Sequence, residues 1–146
     1  MKIINRKAGY DYELSDRMEA GVRLVGSEVK AVRLGKADLT GSFVRIIGTE
    51  AYLVNANIFP YEYARPDGYD ARRTRKLLMH KKQIIALRSR IEGSHLTVVP
   101  ISLYTSHNFI KLEIALARSK KKFEKREEIK KRDIDRQLEE AIKNKI

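Results

Sequence analysis

The chain has 146 residues, 42% of them hydrophobic, with 31 Lys and Arg against 19 Asp and Glu, a net charge of +12 and an isoelectric point near 10.0. That length and apolar content supply one ordinary core, and the charge points to a polyanion, nucleic acid ahead of an anionic membrane, because each neutralised phosphate releases condensed counterions. The lack of Cys excludes disulfides and thiolate chemistry, His80, His95 and His107 offer no metal-ligand spacing, and no apolar run approaches the ~20 residues of a membrane span.

Taken in order, Tyr10, Tyr12 and Leu14 alternate with acidic residues, and Val22 and Leu24 alternate with Gly21 and Arg23. Both read as half-buried strands, with residues 15–20 between them too short for more than a turn of helix. From Gly26 the period changes: Ser27 is a candidate cap, Val29 and Val32 fall three apart, and Gly35 ends a short helix. Residues 43–47 and 51–54 form two strands joined at Gly48, a position suited to a tight turn. Residues 61–76, with Pro66 and several Tyr and Arg, read as a long polar loop of the kind that is usually functional or mobile. Ile84, Leu87 and Ile91 mark the buried face of a helix that runs to Gly93. Residues 96–104 are strand-like, with Pro100 imposing an edge or a bend, and residues 109–116 alternate into a final strand after a turn at 106–108. About six short antiparallel strands and two modest helices define a mainly β chain, a small closed or nearly closed barrel of which the OB type is one member.

Residues 118–146 contain no Gly or Pro and form a potential helix with nothing of its own to pack on. Glu127 with Lys131, Glu128 with Arg132 and Glu139 with Lys143 are acid-before-base pairs at four-residue spacing, each adding roughly 0.2–0.5 kcal/mol, so that a partner is implied. Its first half carries nine bases (Arg118, Lys120, Lys121, Lys122, Lys125, Arg126, Lys130, Lys131, Arg132) against three acids (Glu124, Glu127, Glu128), a balance suited to phosphate. The second half is nearly neutral and bears an apolar stripe at Ile134, Leu138, Ala141 and Ile142, suited to a groove.

Four separated stretches carry a resemblance: NRKA at 5–8, EAGV at 19–22 continuing to GSEVKAVRLGKA at 26–37, RTRKLLMHK at 73–81, and the Lys120-Lys121 pair followed by Lys125-Arg126. In this order and spacing the whole chain resembles the small protein B family, partners of transfer-messenger RNA (tmRNA). The resemblance implies an OB-fold barrel over residues 1–117 with accessory helices, and a basic tail over 118–146 that is disordered when free and helical when bound. It implies that the barrel binds the tRNA-like domain of tmRNA at its elbow and escorts the charged RNA to a stalled ribosome. The tail then enters the empty mRNA channel beyond the small-subunit decoding centre, and elongation factor Tu takes part only indirectly, through the charged RNA. The implied protein is cytoplasmic, needs no cofactor or metal, does not use a membrane and catalyses no reaction itself.

Carried over residue by residue, the resemblance places the RNA contact on Glu28, Lys30, Arg75, Lys76, Leu78, His80, Lys81 and Lys111, with Arg118, Lys120 and Lys121 leading into the tail. A carboxylate such as Glu28 suits RNA when it accepts hydrogen bonds from base amino groups or ribose hydroxyls. His80, an Asn in some relatives, suits hydrogen bonding or stacking. In the tail, Phe123, Glu124, Lys125 and Arg126 fall on the family's pattern of an aromatic or His followed by Asp-Lys-Arg, which implies Phe123 stacking on a decoding-centre base and Lys125 and Arg126 holding rRNA phosphates. Lys130, Lys131, Arg132, Ile134, Leu138 and Ile142 extend the ribosome-facing set. Two departures stand out: Ser119 replaces the Gly usual before the Lys pair, and Glu124 replaces Asp.

Two other readings compete. A small ribonuclease needs a His beside a carboxylate or Lys, which the spacing of the three His does not signal. A generic basic OB-type RNA-binding or ribosomal protein predicts tight binding to any single strand and no preference for a tRNA-like elbow.

Overall fold

The computed structural model describes residues 1–61, 68–120, 133, 136 and 137. Its elements are β1 (Lys2–Ile4), α1 (Arg6–Asp11), β2 (Tyr12–Val22), α2 (Gly26–Arg33), β3 (Ala37–Asp38), β4 (Phe43–Ile47), β5 (Glu50–Val54), β6 (Asn57–Ile58), β7 (Arg75–Leu78), α3 (Lys81–Ile91), β8 (Leu96–Ser106) and β9 (Phe109–Ser119). Strands β8, β4, β5, β7, β2 and β9 pair antiparallel in that order, and β9 returns to pair with β8, so the sheet closes into a ring. Strand β1 lies against the far edge of β8, and β3 and β6 form a separate two-stranded piece.

Closure follows from alternation. In β9 the inward positions Ile110, Leu112, Ile114 and Leu116 are buried, as are Val98 and Leu103 of β8, Val44 of β4, Leu53 of β5 and Leu77 of β7. Full burial of each such side chain contributes about 1.5–3 kcal/mol. Two helices cover the ring: α2 buries Ala31 and Val32, and α3 buries Ile84 and Leu87 in the same core. The β4–β5 hairpin turns at Gly48, whose φ of +63° belongs to the left-handed region that glycine occupies without a steric penalty.

Three elements differ from the sequence expectation, each for a local reason, and at Pro100 the expected bend is found. Residues 12–22 are one strand, not two: between Ser15 and Met18 a bulge takes up one extra residue, with Asp16 at φ +49°, and pairing to β9 continues on both sides. Tyr10 lies in helix α1 and not in a strand. Asn5 caps that helix, its Oδ1 accepting from the Ala8 N–H at 3.3 Å, while its Nδ2 donates to the Pro100 carbonyl at 2.9 Å. Pro100 indeed bends β8, at a register shift between Pro100 and Ser102, but β8 is no edge strand, since it pairs with β1, β4 and β9. Finally, of the polar segment expected to be loop as far as residue 76, residues 62–67 lie outside the described residues, and from Arg75 it is strand β7. The helix from Gly26 forms as expected, although its N-cap is Val25 and Ser27 makes no cap.

Candidate nucleic-acid interface

Strand β7 alternates inward Arg75 and Leu77 with outward Lys76 and Leu78, so the period-two geometry sends one cation into the barrel and presents its neighbours to solvent. Leu78 stands 50% exposed, an apolar side chain in open view on a strand. It can lie flat because its partner across the ladder, in β2, is Gly21. A Cβ at Gly21 would come within 3.1 Å of the Leu78 Cβ. On the other side of Gly21, β9 brings Lys111 into register.

An open groove of about 660 Å³ forms over this crossing, lined by Lys76, Leu78, His80, Lys81 and Lys111 together with Glu19, Thr49, Glu50 and Gln83. Five of the sequence-predicted residues therefore meet in one place. His80 caps helix α3 through its backbone: its N–H donates to Gln83 Oε1 at 3.2 Å and its carbonyl accepts from the Gln83 N–H at 2.9 Å. No cap hydrogen bond uses its exposed imidazole. The groove also receives the N-terminal end of α3, whose first backbone N–H groups and dipole favour negative charge.

The two acids in the groove are occupied by the protein itself. Glu50 accepts from the Tyr52 hydroxyl and from Lys76 Nζ at 3.2 Å, and these contacts, the Tyr52 bond first, hold its carboxyl below the ordinary range. Glu19 accepts from the Tyr104 hydroxyl, whose pKa is pushed up to about 12 by burial and by that acceptor. Sequence reasoning missed Gly21, Glu19 and Glu50, whose place in the groove depends on strand register, and Gln83, which the first turn of α3 brings there.

Two of the predicted contact residues, Glu28 and Arg75, have fully buried side chains. Glu28 Oε2 takes Arg75 Nε at 2.7 Å and Nη2 at 2.5 Å, Oε1 takes Arg73 Nη2 at 2.5 Å, and Oε1 also accepts the Val25 N–H at 3.0 Å. Arg75 spends its remaining donors on the carbonyls of Ala56 (2.9 Å), Arg73 (2.9 Å) and Ala71 (3.1 Å) and on the Tyr69 hydroxyl (3.5 Å). Burial alone would raise the Glu28 pKa, but the Val25 N–H and the two guanidinium groups overcome it and hold the carboxyl below its ordinary value of 4.5. The pair works as a clasp, fastening α2 to the start of β7 and orienting Arg73, which is 41% exposed.

The rest of the predicted set divides. Lys30 is exposed on α2, its ammonium 5.5 Å from the Tyr61 ring centroid, away from the residues that line the groove. Arg118 and Lys120 sit at the other end of β9. Arg118 pairs with Glu13, its Nε at 3.0 Å, and Lys120 donates through Nζ to the Gly9 carbonyl at 3.1 Å and through its backbone N–H to Asp11 at 3.0 Å. At about 3.3 Å per strand residue they lie roughly 23–30 Å along the chain from Lys111. Lys121 and the tail residues Phe123, Glu124, Lys125, Arg126, Lys130, Lys131, Arg132, Ile134, Leu138 and Ile142 lie outside the described residues. Among the described residues no cluster of His, Asp and Glu is arranged to hold a metal, and no helix is long and apolar enough to cross a membrane.

A closed antiparallel barrel with an open groove, cations on its rim and an apolar step at its centre defines a protein built to meet a structured polyanion. A family model described as SmpB protein matches residues 2–144, and the chain belongs to the SmpB family. It is 45% identical over 141 residues to an SsrA-binding protein of Pelobacter propionicus, covering 97% of this chain and 93% of that one. It is 46% identical over 142 residues to an SsrA-binding protein of a Sulfurihydrogenibium species, covering 97% and 93%. A solved chain described as "tmRNA-SmpB: a journey to the center of the bacterial ribosome" is similar with a TM-score of 0.70 and 43% identity, over 83% of this chain and 85% of that one.

Proposed function

We propose that this chain is a tmRNA-binding protein of trans-translation that holds the tRNA-like domain in the β7–α3–β9 groove and delivers it to stalled ribosomes. The observation that carries the reading is the convergence of Lys76, Lys81 and Lys111 around outward-facing Leu78, in a chain that belongs to the SmpB family. The ammonium groups suit phosphates, which fix register without reading sequence, and the Leu78 step suits the flat face of a ribose or an unstacked base. That combination recognises a folded RNA by shape and does not need a base code. Glu28 and Arg75 serve this site from behind, by fixing where β7 begins.

The division into a barrel and a basic tail extends the proposal: the groove holds tmRNA, and the segment beyond Lys120 follows the vacant mRNA path of the small subunit. Its partners are thus tmRNA and the ribosome in the cytoplasm, with elongation factor Tu meeting it only through the charged RNA. We assign no chemical step to the chain itself.

The test is a salt titration of binding to the tRNA-like fragment. Three phosphates neutralised in the groove give a log–log slope of roughly −2 to −3, so affinity falls roughly 16- to 64-fold between 50 and 200 mM salt, and further if tail cations contribute. Lys111→Ala reduces the slope by about one. A flat salt response would contradict the phosphate account.

A further inference from the structure

We propose that Phe109 is a stacking platform for an unstacked base of the bound RNA. The inference rests on the tmRNA reading above and adds a residue to it. Phe109 is 67% exposed, the most exposed of the large apolar side chains among the described residues. It is not on a loose segment. Ser106 and Phe109 form the closing rung of the β8–β9 hairpin, and His107 and Asn108, at φ +49° and +68°, make its two-residue turn. Arg33 of α2 donates through Nη2 to the Asn108 carbonyl at 3.1 Å, tying the tip to the body.

Beside the main groove lies a second hollow of about 390 Å³, lined by Val22, Leu24, Val29, Leu78, Phe109 and Lys111. It shares Gly21, Leu78 and Lys111 with the groove, so a strand leaving the groove over Leu78 reaches Phe109 next. The charge of the hollow selects its occupant. Glu19 and Glu50 line the groove, whereas the lining of the hollow contains no acid and one cation, Lys111, with Nζ 5.8 Å from the Phe109 centroid. An apolar floor with a ring at one end and an ammonium at its edge fits one nucleobase with its phosphate. Every base has a π-face, so the platform tolerates any sequence and rewards a base that the RNA fold has already turned out.

The chain contains no Trp, so Phe109→Trp places a single indole at the site. With the tRNA-like fragment of tmRNA as probe, Phe109→Ala weakens binding about 5- to 150-fold. Its melting temperature and salt slope stay as in the unsubstituted chain, because the side chain is exposed and uncharged. Phe109→Trp restores affinity, and its emission is quenched as the RNA saturates. Equal affinity of Phe109→Ala and the unsubstituted chain, or indole emission indifferent to bound RNA, would overturn the inference. If the unsubstituted chain itself does not bind the fragment, the functional reading falls first.

Discussion

Glu28→Ala is expected to cost about 3–5 kcal/mol of folding stability, the penalty of leaving a buried charge without its partner. The side chains of Glu28 and Arg75 are both wholly buried, and Glu28 is the acid to which Arg75 and Arg73 both bond. Removing it strands Arg75 inside the barrel wall and releases α2 from the start of β7. Glu28→Gln keeps the shape but not the charge and moves stability in the same direction. Combining Glu28→Gln with Arg75→Met, which replaces the pair by uncharged groups, recovers part of the loss. Urea denaturation of the four chains measures these effects.

The same clasp gives the unsubstituted chain an acid limb. The Glu28 carboxyl is held below 4.5 in the folded state, so its contribution is fully present above about pH 4.5 and is lost as pH falls through the folded value. The unfolding midpoint therefore drops more steeply in acid for the unsubstituted chain than for Glu28→Gln, which has no carboxyl there to protonate. Binding separates this account from direct contact. Glu28→Ala loses RNA affinity only in step with its loss of stability, because its effect on the groove runs through the order of β7. A large loss of affinity with unchanged stability would place the carboxylate on the RNA after all.

Cutting the chain after Lys120 is expected to leave binding of the tRNA-like domain nearly intact and to abolish tagging on stalled ribosomes. The position of the cut follows from β9. A cut after Ala117, where the sequence alone puts the domain boundary, also removes the pairings of Glu13 with Arg118 and Tyr12 with Ser119. It removes the Arg118–Glu13 ion pair and the Lys120 N–H bond to Asp11 as well. That shorter chain therefore melts at a lower temperature than the one ending at Lys120, and a tagging defect in it mixes two causes. Comparing both cuts by thermal unfolding, fragment binding and tagging in a reconstituted translation system separates them. Loss of fragment binding on cutting after Lys120 would mean that the tail, and not the groove, holds the RNA.

Much of this architecture is legible in the sequence wherever a pattern is local. The β4–β5 hairpin, helix α3 and strand β9 each show their period within ten or so residues, and Pro100 marks the β8 bend. What is hidden depends on distant partners. Charged residues are almost never fully buried unless paired, so Glu28 and Arg75 read as surface residues. Their pairing spans 47 positions and leaves no local trace. The continuity of β2 is hidden for a similar reason: the bulge at Asp16 resembles an interruption until β9 supplies the ladder on both sides. How far Lys111 lies from Arg118 is likewise set by the length of β9, which holds the two near its opposite ends. The groove itself depends on Leu78 lying opposite Gly21, a register that a single chain does not announce.

As proposed, the β7–α3–β9 groove recognises a folded tRNA-like RNA and not single strands in general. The most direct measurement is a competition at physiological salt between the tRNA-like fragment of tmRNA and an unstructured RNA of equal length, for the chain ending at Lys120 with and without Lys111→Ala. Clear preference for the folded fragment, diminished by Lys111→Ala, is the expected result. Equal affinity for the two RNAs would contradict it and leave a generic basic barrel.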